Sequence, residues 1–189
     1  MIDPRSVAFD FDGVVADTMN LFIKVARSIH RIDHLKYEDF TCYKLLDCID
    51  IDPDTLTDII DRLQDGRYTD PLEPMAGAAD VLQRLGERYG PLVFITARPH
   101  SKPVDDWLQQ LLSLDPGMLN VVPTGSFDVK ADELTRRGIR YFVEDRLETC
   151  YEVEKVGVVP VLYRQPWNRN PHPFMEVGNW YDLEAIIEF

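Results

Sequence analysis

Short, wholly apolar runs alternate along the chain with stretches whose apolar residues recur every three or four positions. Ser6-Val7-Ala8-Phe9 reads as a β-strand that stops at Asp10-Phe11-Asp12-Gly13, where acids and a glycine end a buried segment. Leu21, Phe22, Val25, Ala26 and Ile29 then keep helical spacing. Asp52-Pro53 has the form of an N-cap followed by a first-turn proline, opening a helix with Leu56, Ile59, Ile60 and Leu63 on one face. The pattern next predicts a helix over 78–88, a strand over 92–95 and a helix opened by Pro103 that carries Val104, Leu108, Leu111 and Leu112. Residues 119–122, 139–143 and 158–163 read as further strands with helical connections.

Short, continuously apolar strands between helices predict an α/β fold, a Rossmann-like parallel sheet covered by helices on both faces. Residues 17–72 carry helical patterns and no strand pattern. The expected organisation is therefore a core of residues 1–16 and 73–189, with 17–72 as a small helical insertion after the first strand.

Composition narrows the function classes. A length of 189 residues suits one domain with an insertion, and 45% hydrophobic with 28% charged residues is ordinary globular composition. Nowhere does an apolar run approach the ~18 residues of a membrane span. Met1-Ile2-Asp3-Pro4 lacks the basic start and apolar stretch of a signal peptide. The net charge of −13 disfavours nucleic-acid polymers and anionic membranes as partners. Cys42, Cys48 and Cys150 show no CxxC spacing and read as reduced thiols, which points to a cytoplasmic protein. The acidic stretch over 36–70 reads as a solvated helical face. Within it Asp50-x-Asp52-x-Asp54 begins like a calcium loop, but Pro53, Thr55 and Asp61 stand where such a loop needs other residues. Helix capping explains the same acids.

The chemistry gathers at predicted strand ends. Asp10 and Asp12 follow the first strand directly, at the carboxyl edge where open α/β sheets bind ligands. Two such carboxylates can supply a nucleophile with a general acid/base, or a divalent-metal site. Thr96 ends a second strand, Lys130 starts a helix, and Glu144-Asp145 ends another strand. Converging on one edge, the hydroxyl, the ammonium and four carboxylates suit Mg²⁺ and a phosphate group.

These motifs, in this order, resemble the haloacid-dehalogenase-like superfamily, mostly phosphatases that work through an aspartyl-phosphate. The resemblance covers nearly the whole chain. It implies Asp10 as nucleophile, Asp12 as general acid/base, Thr96 as a hydrogen-bond donor to the phosphoryl group and Lys130 as the neutralising cation. It also implies Mg²⁺ held by Asp10, Asp12 and Asp145, with Glu144 beside them, substrate contacts from Gly13, Ala97 and Arg98, and residues 17–72 as a mobile cap. Thr96-Ala97-Arg98-Pro99 and Gln165-Pro166-Trp167-Asn168-Arg169 are similar to the deoxyribonucleotidase-like branch, although Ala97-Arg98 stands where its animal members have Ser-Pro. That branch implies a small phosphorylated substrate, a nucleoside monophosphate, with its base on cap aromatics; Phe22, Tyr37, Phe40 and Tyr43 are the candidates. A sugar-phosphate or other metabolite phosphatase, and a catalytically quiet binding module, are the alternative readings.

Overall fold

The computed structural model describes residues 1–188. Six parallel strands form one sheet: β1 (Val7–Phe9), β2 (Leu92–Thr96), β3 (Leu119–Pro123), β4 (Tyr141–Glu144), β5 (Val159–Tyr163) and β6 (Met175–Val177). Their spatial order is β3-β2-β1-β4-β5-β6, so β1 lies inside the sheet, paired with β2 on one side and β4 on the other. All three residues of β1 are buried, which accounts for its unbroken apolar run.

Seven α-helices accompany the sheet: α1 (Thr18–His30), α2 (Pro53–Asp65), α3 (Ala78–Tyr89), α4 (Lys102–Leu111), α5 (Lys130–Arg136), α6 (Leu147–Lys155) and α7 (Trp180–Ile186). Side chains alternate across the strands, so two apolar layers form. Ala8, Ile95 and Phe142 meet Leu134 of α5 and Val153 of α6 in one cluster. Val7, Phe9 and Phe94 join α3 and α7 through Val81, Leu85, Trp180 and Leu183 in the other. Helices therefore cover both faces, as the sequence pattern predicts. The deviations are at the margins: β4 begins at Tyr141 rather than 139, and the short elements β6 and α7 carried no periodic signal.

Between β1 and α3 the chain forms α1, α2 and two single 3₁₀ turns, and no strand. Asp52 caps α2 by accepting a hydrogen bond from the Thr55 N–H at 2.9 Å, and Gly66, at φ 71°, ends the helix. Capping thus accounts for Asp52, and Asp54 falls in the first turn of the same helix. The two ends of this stretch lie side by side. The Asp17 N–H donates to the Glu73 carbonyl and the Met75 N–H to the Val15 carbonyl, each at 2.8 Å. No helix among the described residues is long and apolar enough to cross a membrane. The three cysteines are free.

Trp180 ties α7 to the loop after β1. Its ring is fully buried beside Phe9, and its indole N–H donates to the Val14 carbonyl at 2.7 Å. Trp180→Phe both opens a void and strands that carbonyl, and is expected to lower the unfolding free energy by about 2–4 kcal/mol. Urea unfolding of the two proteins measures it; a loss within error would show that the loop is held by other contacts.

Candidate active site

The spatial order reverses at β1: β2 and β3 continue to one side, β4 to β6 to the other. Such a reversal opens a crevice at the carboxyl ends of the strands. Asp10 follows β1, Thr96 ends β2, and Glu144 ends β4 with Asp145 immediately after it. The site residues anticipated from sequence come together there, across more than a hundred positions of chain.

At its base lies a buried charge cluster. Lys130, the first residue of α5, has no exposed surface, and its Nζ contacts Asp10 Oδ2 at 2.9 Å and Glu144 Oε2 at 2.8 Å. The other Glu144 oxygen accepts from the Asp145 and Arg146 N–H groups, both at 3.0 Å. Asp10 Oδ1 accepts from the Phe11 N–H at 2.7 Å. The Asp145 carboxylate accepts from the Trp167 indole at 2.9 Å. Burial and then the Glu144 charge push the Asp10 and Asp145 carboxyls well above the ordinary carboxylate range. Burial acts on Glu144 in the same direction, but Lys130 outweighs it and holds that carboxyl low.

Asp10, Glu144 and Asp145 each offer a carboxylate oxygen, all within 4.8 Å of one another. With all three ionised, one lysine leaves the cluster two negative charges in excess, at the floor of the cleft. Hard oxygen donors and surplus negative charge fit Mg²⁺. Gly13 keeps the space open: a Cβ there, at φ 74°, would stand 2.3 Å from Asp145 Oδ2. Sequence reading expected Asp12 among the ligands and Glu144 beside them; the close-set group of carboxylate oxygens contains Glu144, while Asp12 lines the same cleft with its carboxylate on Arg98 and Thr18.

Arg98 donates to Asp12 from Nε at 2.9 Å and from Nη2 at 2.7 Å, and the Thr18 hydroxyl donates to Asp12 at 2.5 Å. Burial would raise the Asp12 carboxyl, but Arg98 and Thr18 outweigh it and hold it below the usual range. The third Arg98 nitrogen donates to the Leu63 carbonyl at the end of α2, at 2.9 Å. With only 4% of its surface exposed, Arg98 is a buried strut from the core loop to residues 17–72. Thr96 is fully buried, and its hydroxyl accepts from the Arg98 N–H at 3.2 Å.

A cleft of about 550 Å³ opens above this cluster. Asp10, Asp12, Gly13, Ala97, Arg98 and Asp145 line its core side. Its far wall is apolar, with Phe22, Tyr43, Leu56 and Ile60 from residues 17–72. Of the four aromatics singled out in the sequence, Phe22 and Tyr43 therefore face the cleft. Phe40 is fully buried against Phe22, and Tyr37 donates to the Gln165 side chain at 2.7 Å.

Sequence reasoning left Thr18, Gln165, Trp167 and Asn168 without structural roles. Gln165 donates to the Gly13 carbonyl at 2.6 Å, and Asn168 to the Asp145 carbonyl at 2.7 Å. This stretch fastens the loops after β1 and β4 to each other, a role visible only once the two loops are neighbours.

An all-parallel sheet with these acids, the buried lysine and the threonine at one edge defines a hydrolase of the haloacid-dehalogenase-like superfamily. Solved structures with the same fold include a predicted phosphoglycolate phosphatase from Haemophilus somnus 129PT, at TM-score 0.62 and 13% identity, covering 96% of this chain and 97% of that one. CbbY from Rhodobacter sphaeroides matches at TM-score 0.58 and 16% identity, covering 99% and 97%. Within the superfamily, the model of the cytosolic type C 5′ nucleotidase family, deoxy (pyrimidine), matches residues 5–189, and the chain belongs to that family. It is accordingly a phosphomonoester hydrolase. It is similar to the 5′(3′)-deoxyribonucleotidases of Bacillus subtilis strain 168 and of Bacillus phage SPbeta, each 26% identical over 188 residues that cover 97% of this chain and 98% of the relative.

Removing the ammonium tests the cluster. Lys130→Met leaves Asp10 and Glu144 facing each other without a counter-charge, and breaking a buried pair from one side typically costs about 3–5 kcal/mol. Chemical denaturation is expected to show that loss; a Lys130→Met protein as stable as wild type would refute the account of the cluster.

Proposed function

We propose that the protein is a Mg²⁺-dependent phosphomonoesterase of nucleoside monophosphates that works through a phosphorylated Asp10. One observation carries this reading. The same cleft joins a charged end, where Asp10 stands with Lys130 and Asp145, to an apolar end built by residues 17–72. The first suits a phosphoryl group, the second a flat and weakly polar leaving group such as a nucleobase. The names of the two Bacillus relatives favour the same substrate class. A sugar phosphate would bring hydroxyls to the wall of Phe22, Leu56 and Ile60, whose side chains offer them no partners.

In this reading Asp10 attacks phosphorus, and its new O–P bond forms as the bond to the leaving oxygen breaks. Lys130 offsets charge on the nucleophile, and the Thr96 hydroxyl and the backbone at Gly13 and Ala97 receive the phosphoryl oxygens. A Mg²⁺ ion held by Asp10 and Asp145, with Glu144 behind them, would supply charge neutralisation at the phosphoryl group. Asp12 gives a proton to the leaving alkoxide, and the carboxylate so formed takes one from the water that hydrolyses the acyl-phosphate, which restores the proton for the next turnover. Arg98 and Thr18 favour the ionised Asp12, the form in which the first step leaves it and which the second step requires. Since the side-chain nitrogens of Arg98 all have partners, its part is to orient Asp12 rather than to grip phosphate. Residues 17–72 serve as the cap, closing on substrate about the paired stems at Asp17 and Glu73 and keeping water from the phosphoryl group. The reading places the enzyme in the cytoplasm, where its free cysteines stay reduced.

Asp12→Ala separates the half-reactions. With an aryl phosphate the leaving group needs little acid help, so Asp10 is expected to become phosphorylated and to stay so for want of a base. Intact-mass spectrometry of quenched enzyme should show one added phosphoryl group. Undiminished aryl phosphate turnover without that adduct excludes the role given to Asp12.

A Mg²⁺-supplemented panel of nucleoside monophosphates and sugar phosphates tests the substrate class. The kcat/KM for the nucleotides is expected to be at least about tenfold higher, ~1.4 kcal/mol of discrimination, within reach of one stacking contact. Chelator and Asp10→Asn should each abolish turnover. Equal or reversed preference moves the assignment to a metabolite phosphatase.

A further inference from the structure

We infer that Gln64 determines leaving-group specificity: its carboxamide reads the hydrogen-bonding edge of the nucleobase. The inference rests on the nucleotide reading above and assigns that reading a residue.

Gln64 sits in the last turn of α2, half-buried, and faces the cleft. The carbonyl of the preceding residue, Leu63, is the one that Arg98 holds at 2.9 Å while gripping Asp12. The turn bearing Gln64 is thereby pinned to the group that handles the leaving oxygen. A side chain rooted there stands over the leaving group rather than over the phosphoryl group.

Its surroundings make the amide stand out. Phe22, Leu56, Ile60 and Leu63 give the wall shape but no direction. Three other polar groups nearby are committed, whereas the Tyr43 and Ser126 hydroxyls bring single functions rather than a paired donor and acceptor to the same cleft. The Thr18 hydroxyl donates to Asp12, the Cys42 thiol donates to the Lys44 carbonyl at 3.1 Å, and the Arg98 guanidinium bonds Asp12 and Leu63. Gln64 is the only carboxamide lining the cleft, and it has no hydrogen-bond partner among the described residues. Apolar pockets take their specificity from a few such placed polar groups.

A carboxamide presents a donor and an acceptor side by side, and the exposed edge of a nucleobase presents the complement. Because the amide can turn over, it serves a lactam edge and an amidine edge equally well. Gln64 therefore separates leaving groups that carry a base from those that do not, and contributes little to the choice among bases. A lost pairing leaves a polar base edge against apolar wall, which costs affinity.

The test compares wild type with Gln64→Met, which keeps length and helix propensity but removes both hydrogen-bonding functions. Three substrates are used with Mg²⁺: thymidine 5′-monophosphate, 2-deoxyribose 5-phosphate and phenyl phosphate. The variant is expected to lose about tenfold or more in kcat/KM on the nucleotide, mostly through KM, and to change less than about twofold on the other two. Equal loss on all three substrates would show that Gln64 only supports the cleft, overturning the inference. Loss shared by the nucleotide and deoxyribose phosphate would mean that Gln64 reads the sugar, and overturns it too. So does an unchanged nucleotide rate in a protein whose wild type prefers nucleotides, with the nucleotide reading left standing. A wild type that fails to hydrolyse the nucleotide removes that reading and this inference together.

Discussion

A lysine ammonium without exposed surface lies between two buried carboxylates, and the arrangement of the functional edge follows from that contact. Taking these charges out of water costs several kcal/mol per ion, so the cluster persists only where geometry and further hydrogen bonds are nearly complete. Lys130 meets Asp10 and Glu144 together, and two backbone N–H groups complete the environment of Glu144. The contact also joins the ends of β1 and β4 to the start of α5. An arrangement that costs folding energy to keep an acid in place suits chemistry performed by that acid.

Around this base the remaining charges are sorted by partner. Glu144 is neutralised by Lys130, and Asp12 by Arg98. At Asp10 and Asp145, burial and then the Glu144 charge outweigh Lys130, and both carboxyls rise accordingly. The sorting separates two neighbouring acids, Asp10 and Asp12, by environment alone. One stands where a cation is wanted, while the other is already an oriented carboxylate.

Arg98 extends the sorting beyond the core. By bonding the Leu63 carbonyl it satisfies a group that the end of α2 leaves unpaired, and it sets its positive charge at the negative end of the helix dipole. The same guanidinium thus stabilises α2, fixes residues 17–72 against the core and orients Asp12. On the other side, Gln165, Trp167 and Asn168 fasten the loops after β1 and β4. The cleft is held from two directions by side chains that make no claim on the phosphoryl group.

Much of this was legible along the chain. Unbroken apolar runs such as Val7-Ala8-Phe9 require burial on both faces, which in an alternating α/β pattern means a parallel sheet. Asp10, Thr96 and Glu144-Asp145 stand at strand ends, and a parallel sheet brings strand ends to one edge. Those placements follow from local periodicity and chain direction, so the sequence by itself determined the fold class and the edge at which these acids stand. Periodicity failed for β6 and α7, elements of three and seven residues that are too short to repeat a pattern. Tertiary structure alone decided how the charges pair. Arg98 and Asp12 lie 86 positions apart, Gln165 and Gly13 lie 152 apart, and no local rule links them. The same holds for the aromatics: Phe22 and Phe40 share an apolar cluster, yet only Phe22 reaches the cleft. Side-chain chemistry is written residue by residue, whereas pairing and facing depend on which elements pack together, and only the folded chain supplies that.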